Sequence, residues 1–441
     1  MTARQIAFDI LLNIKINSAY SNNALAEAFR KHEISIQDKA LITEIVYGTL
    51  THYQLLQYWL EPYFQGRVKE WVRILLAMSI YQHAYLQNVP SHAIVNEAVK
   101  IAKNRGGEFN AKVVNSVLRK MLDVELRSVN EIQDHFTQLS VKYSHPEWLV
   151  RLWIAQFGEE RTVAMMTANN ERAPLVLRTN LVKTERKSLI GKLADSGVKS
   201  EAGKLSSSAV LVKKGNPLIT KAFTDGLFYV QDEASQLPAL ALSPSVGARV
   251  LDTCAAPGGK TFHLAELVGT DGVIYAHDIY DHKIVRMREN AERLGINNVE
   301  MAVCSALDLH EKYAPASFDF ILVDAPCSGL GILRRHPEAK LTKQPADLDE
   351  ITQIQKGILA SVTPLLAPGG RLVYSTCTVN RKENHRQIEN FLKLHPEFEL
   401  DSEFANRMPA ELADNFENGM LQLFPQDFNT DGFFIAALVK K

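Results

Sequence analysis

Apolar residues recur every three or four positions through the first part of the chain, as in Ile6, Ala7, Ile10, Leu11 and Ile14 and again in Val95, Ala98, Val99 and Ala102. That spacing puts them on one face of a helix, and no strand-like alternation interrupts it, so an all-α domain over residues 1–140 is predicted. A Pro-containing stretch, KYSHPEWLVRLWIAQFG (142–158), then opens a region where short helices mix with β-rich runs such as LVLRTN and AVLVKKG. This predicts a small α+β module over 141–235. From Val250 the pattern changes again. The runs ARVLDTCA, VIYAHDIY, FDFILVDAP, GRLVYSTC and DGFFIAALVK alternate with helical stretches, which predicts βαβ units and a doubly wound α/β domain over 236–441.

Length agrees with several cores, because 441 residues exceed what one ordinary core holds. A hydrophobic share of 46% with 22% charged residues is that of a globular protein, and no stretch approaches the run of about 20 apolar residues that spans a bilayer. The first 22 residues lack the continuous apolar core of a signal peptide, so a cytoplasmic location is expected. Four cysteines without CxxC spacing supply neither a disulfide framework nor a zinc site, and no metal is expected. Net charge is −1, yet residues 1–120 hold 14 Lys/Arg against 9 Asp/Glu, which permits a basic face for a polyanion.

The sharpest cofactor signal is VLDTCAAPGGKTFHLAEL (250–267), a short strand that runs through Pro257, Gly258 and Gly259 into a helix. Glycines there let backbone approach a ligand at the helix N-terminus. The ending GGKT resembles a P-loop, but that loop needs glycine at 254, where this chain has Cys254. The next strand ends at Asp278, 19 residues past Gly259, the place where such folds hold a ribose. S-adenosylmethionine and a dinucleotide both satisfy this criterion.

Two thiols separate them. Cys327 in ILVDAPCSG and Cys377 in LVYSTCT each open a loop after a buried strand. A dinucleotide oxidoreductase leaves both unexplained, whereas methylation at carbon 5 of a cytosine needs them: addition of a thiolate at carbon 6 makes carbon 5 nucleophilic. Charge then builds toward N3, so a group facing the Watson–Crick edge is required, and Asp324 is placed for it. A free cysteine has a pKa of about 8.5, and Lys260 is the candidate cation to activate one. Cys254 and Cys304, together with Met165, Met166, Trp148 and Trp153, are expected to serve packing.

CAAPGGKT, DAPCSGLG, RRHPE and YSTCTVNRKEN together resemble the RNA cytosine 5-methyltransferases, and the chain is similar end to end to their bacterial ribosomal RNA branch, the Sun/Fmu family. YSHPEW and YVQDEAS match segments flanking the middle module, and the helical region resembles the NusB-like RNA-binding domain. The resemblance implies a Rossmann-like methyltransferase domain that uses S-adenosylmethionine. It further implies Cys377 as the nucleophile, Cys327 as the residue that assists proton removal and enzyme release, and Asp324 as the base-contacting acid. Cofactor contacts would come from Cys254, Ala255, Ala256, Pro257, Gly258, Gly259, Lys260, Asp278 and Asp324. The family usually carries an acid near the adenine where this chain has Ser305, so Ser305 or Asp308 would serve there. Arg334, Arg335 and His336 would meet RNA phosphate. The implied partner is small-subunit (16S) ribosomal RNA, bound by a monomer. An alternative is a non-catalytic ribosome assembly or antitermination factor that keeps only RNA binding; DNA cytosine methylation would put the nucleophile in the PC motif instead.

Overall fold

The structure, a computed structural model, describes residues 1–64 and 66–441. Its contacts divide the chain into two compact units, residues 1–172 with 333–343, and residues 173–332 with 344–441.

The first unit is helical. Its longer helices are Ala3–Asn17, Ser21–Lys31, Ile36–Thr51, Glu70–Tyr85 and Ser91–Leu122, followed by His135–Tyr143, Glu147–Phe157 and Glu159–Asn169. Side-chain caps fix several starts: Thr2 accepts from Gln5 N, Ser35 from Asp38 N and Asp134 from Thr137 N. The predicted apolar stripes close on one core built from Phe8, Leu11, Ile14, Val46, Leu75 and Val114. Gly107, at φ 74°, breaks the long helix Ser91–Leu122 in two. Met165, Met166 and Trp153 are fully buried, as packing residues should be, while Trp148 is half-buried.

The segment 333–343 is fastened into this unit by two buried charges. Glu338 accepts from Ser21 N at 3.1 Å, and Lys340 Nζ donates to Thr51 O at 2.7 Å and Asn170 Oδ1 at 3.0 Å. Burial pulls the Lys340 ammonium down to a pKa of about 7.

The second unit holds two sheets. Strands β1 (Leu175–Thr179), β2 (Lys199–Ala202), β3 (Ala209–Lys214) and β4 (Phe228–Val230) make an antiparallel sheet in the order β2-β3-β1-β4. The larger sheet contains β5 (Arg249–Asp252), β6 (Val273–Asp278), β7 (Val299–Val303), β8 (Phe318–Asp324), β9 (Leu366–Thr376), β10 (Phe398–Leu400), β11 (Phe416–Glu417), β12 (Met420–Leu423) and β13 (Phe433–Lys440). Its order is β11-β12-β13-β9-β8-β5-β6-β7, with β10 on β13; β5 to β9 run parallel and β13 antiparallel to β9. Strands covered on both faces read as continuous apolar runs, which is why ILV in β8 and LVY in β9 stand out in the sequence. The chain order reverses between β5 and β8, so their carboxyl ends open the crevice where such sheets bind ligands. The small sheet is bolted to that crevice: Arg178 of β1, 1% exposed, pairs with Glu266 at 2.8 Å and donates to Gln231 Oε1 and to Gly259 O.

Candidate active site

Each predicted site residue of the second unit lies at a carboxyl end of the parallel strands. β5 delivers the loop Thr253–Gly258, and the helix Gly259–Val268 follows. Gly258 takes φ +105°, and a Cβ there would lie 2.4 Å from a ring carbon of Phe262, so only glycine fits. Tyr229 OH donates to Pro257 O at 2.9 Å and holds the loop from the small sheet. Ala255 and Gly259 are buried, Cys254 and Lys260 half-buried. Cys254 and Cys304 pack against the core, and burial raises both thiols, that of Cys254 to about 12.

β6 ends on Asp278, whose Oδ1 accepts from Tyr280 N at 3.1 Å with Lys283 3.6 Å away. The large apolar side chains Ile279, Tyr280, Val303 and Leu307 are exposed around the ends of β6 and β7. Ser305 Oγ accepts from Leu307 N and so turns the loop, while Asp308 is exposed. The donor set fits S-adenosylmethionine: backbone at a glycine-bounded helix N-terminus for its carboxylate, Asp278 for ribose hydroxyls, and apolar surface for adenine.

β8 and β9 bring the reactive groups together. Asp324 accepts from Lys260 Nζ at 2.7 Å on one oxygen and from Ser375 Oγ at 2.8 Å on the other. Burial disfavours the Lys260 ammonium, but Asp324 outweighs it and the net pKa is raised, so the cation persists at neutral pH. Cys327 Sγ and Cys377 Sγ lie 3.3 Å apart, both half-buried. The hydrogen bond to Cys377 and then burial hold the Cys327 thiol well above its ordinary value.

Sequence reasoning missed the group that braces both thiol loops. Glu383 is fully buried and accepts from Ser328 N (2.8 Å), Ser328 Oγ (2.6 Å), Asn380 Nδ2 (3.0 Å) and Gln355 Nε2 (3.1 Å). Ser328 adjoins Cys327 and its hydroxyl also meets Thr378 Oγ1 at 2.8 Å, the residue after Cys377. Gln355 in turn donates to Pro326 O at 3.0 Å. Nothing in YSTCTVNRKEN marks the acid at 383 as buried, since its neighbours Arg381 and Lys382 are partly exposed charges.

Asp252, at the end of β5, accepts from Thr261 Oγ1 at 2.7 Å, and burial raises its carboxyl to about 7. A carboxyl raised in the folded state keeps its proton while the unfolded chain ionises, so its contribution to stability is lost as pH rises from near 3.8 through about 7. Asp252→Asn is therefore expected to flatten the fall in melting temperature across that window. Equal slopes for both proteins would contradict this.

Arg334, Arg335 and His336 belong to the helical unit. Arg334 is only 5% exposed, and His336 Nδ1 lies 3.2 Å from Glu338 Oε1. Among the described residues no group of three His, Cys, Asp or Glu is placed to hold a metal, and no helix is long and apolar enough to cross a membrane.

Comparison with known proteins agrees with this geometry. Residues 239–439 match the family described as 16S rRNA methyltransferase RsmB/F, residues 1–123 the NusB family, and residues 145–218 the ferredoxin-like domain of RsmF/B-like methyltransferases. The chain is 40% identical over 442 residues to a probable ribosomal RNA small subunit methyltransferase B of Bacillus subtilis, covering all of this chain and 99% of that protein. A probable protein of the same name from Synechocystis is 34% identical over the full length of both. The crystal structure of PH0851 superposes with a TM-score of 0.85 at 27% identity, covering 100% of this chain and 99% of that one. A Rossmann-like fold, a NusB-like helical region, a ferredoxin-like middle module and full-length identity of this order agree at every level, and the chain belongs to the RsmB/F family of S-adenosylmethionine-dependent 16S rRNA methyltransferases.

Proposed function

We propose that this chain methylates carbon 5 of one cytosine in small-subunit ribosomal RNA through a covalent bond between Cys377 and carbon 6. The observation that carries the reading is the pair of thiols 3.3 Å apart at the ends of β8 and β9, beside the Lys260–Asp324 ion pair. The Lys260 ammonium adds its field at Cys377, the nucleophile of this reading. Cys377 adds to carbon 6, the C5=C6 π bond opens, and the charge that builds toward N3 is met by the proton on the Lys260–Asp324 pair. S-adenosylmethionine, when bound, would supply the electrophilic methyl for carbon 5, its sulfur keeping the electron pair as a thioether.

Release needs the carbon 5 proton removed. Cys327 takes it while passing its own proton to the departing Cys377 sulfur; the C5=C6 bond re-forms, the S–C6 bond breaks, and one proton leaves to solvent per turnover. The target base must leave its stack to reach these strand ends, so a loop or open segment is the substrate. Arg335 and His336 of RRHPE, both half-buried, are assigned to RNA phosphate. Bisulfite mapping of 16S rRNA from cells with and without the protein tests the reading. Loss of one protected cytosine is expected; an unchanged pattern would refute it.

A further inference from the structure

A second cationic site lies on the same unit, away from the cofactor crevice. The helices Pro345–Val362 and His385–Leu394 enclose a groove of about 540 Å³. Lys356, Lys382, Arg386, Lys393 and His395 line it, and no acidic residue does. Lys382 is paired with Asp349 and His395 with Glu397. Lys356, Arg386 and Lys393 are exposed and have no carboxylate partner among the described residues. Three unpartnered cations around one concavity repel each other, and an anion is what relieves them.

The floor adds a second kind of recognition. Phe391, 5% exposed, stacks on His395 with ring centres 4.6 Å apart, and Leu359 lies beside it. Gln387 is likewise only 5% exposed, lines the groove, and makes no side-chain hydrogen bond among the described residues. An amide at the groove wall can donate to and accept from a ligand there. Cations at the rim, an amide and an aromatic floor match phosphates, base edges and base faces in turn. An A-form duplex hides its base faces and would leave such a floor unused.

Two of the groove's residues adjoin in sequence the buried groups that brace the reactive loops. Lys356 follows Gln355, which donates to Pro326 O, and Lys382 precedes Glu383, which holds Ser328. We infer that this groove binds a single-stranded stretch of the substrate RNA flanking the methylated base. The inference rests on the rRNA reading above and adds a site to it.

The test uses the full chain with Lys356→Ala, Arg386→Ala and Lys393→Ala combined, and a control of Lys356→Arg, Arg386→Lys and Lys393→Arg that keeps the charges. Binding to unmodified 16S rRNA transcript is measured across a salt series, with KM and kcat for tritiated methyl transfer. Each lost single-strand phosphate contact removes about 0.7 from the slope of log K against log salt, so the alanine variant is expected to lose about 2. KM for RNA should rise about tenfold or more while kcat at saturation stays within about twofold. The charge-keeping control should match the wild type. Unchanged slope and KM would overturn the inference, as would unchanged RNA binding with lost capture of a polyglutamate peptide, which would mark a site for acidic protein. If the wild type moved no methyl to rRNA, the proposed function would fail, and the salt slopes would still decide the groove.

Discussion

Cys377→Ala is expected to lower methyl transfer by at least about 10⁴-fold while leaving cofactor binding and melting temperature near those of the wild type. Carbon 5 of cytosine has no nucleophilicity of its own to fall back on, so without a thiolate at carbon 6 the remaining groups orient the base but cannot activate it. The side chain is half-buried at the end of β9, and the thiol's one sulfur contact is Cys327, so its loss removes little packing. Cys327→Ala should behave in the opposite sense. Its sulfur stands 3.3 Å from Cys377, placed to relay the proton that must leave carbon 5. Without the relay, addition and methylation proceed and elimination stalls, so an RNA–protein adduct that survives denaturing electrophoresis should accumulate with Cys327→Ala and be absent with Cys377→Ala. The reverse pattern would exchange the two roles and place the chemistry with enzymes that use the PC-motif thiol. Full activity in Cys377→Ala would end the covalent proposal.

The two thiols show what a sequence can and cannot carry. Their places after β8 and β9 follow from the apolar runs before them, since a strand buried on both faces is a continuous hydrophobic word and its carboxyl end is where a sheet keeps reactive groups. The Gly258 turn was legible for the same reason: its φ of +105° leaves a mark in residue type. That the sulfurs meet was not legible, because it depends on β8 and β9 lying side by side with Asp324 opposite Ser375, a long-range register that no local pattern encodes. Nor was the antiparallel edge of β11, β12 and β10, built from strands of two to four residues whose pairing decides their state. The burial of Arg334 escaped for a related reason, since RRHPE reads as a surface charge run until Glu338 and Lys340 are seen fastening the segment inside the helical unit.

Lys260 illustrates a shift in meaning from sequence to structure. From the chain alone it is a cation that could activate a thiol. In the fold its ammonium is committed first to Asp324, and its influence on Cys377 acts through a field shared with that carboxylate. The pair is therefore suited to answering charge at the base edge as well as to adding its field at Cys377.

Release depends on the geometry around Cys327, and Glu383 sets it. Glu383→Ala is expected to be among the most damaging single substitutions in the chain. It removes a fully buried carboxylate and leaves Ser328 N and Asn380 Nδ2 without their acceptor, and Gln355 Nε2 with Pro326 O alone. Stranding buried donors of this kind costs about 3–5 kcal/mol, which for a unit of this size lowers the melting temperature by roughly 10 °C. Glu383→Gln keeps the shape and one acceptor oxygen, so it should fold more stably than Glu383→Ala, and it removes the charge. The hydrogen bond to Cys377 and burial hold the Cys327 thiol up, and the Glu383 charge adds to both. Removing that charge must lower the thiol's pKa, so Cys327 in Glu383→Gln should be alkylated by iodoacetamide at a lower pH than in the wild type, with mass spectrometry assigning the modified residue. The variant also lacks one of the two carboxylate oxygens that brace Ser328 beside Cys327, so kcat should fall while KM for S-adenosylmethionine stays constant. A variant that melts early yet keeps the wild-type alkylation profile and kcat would reduce Glu383 to a structural brace without influence on the thiols.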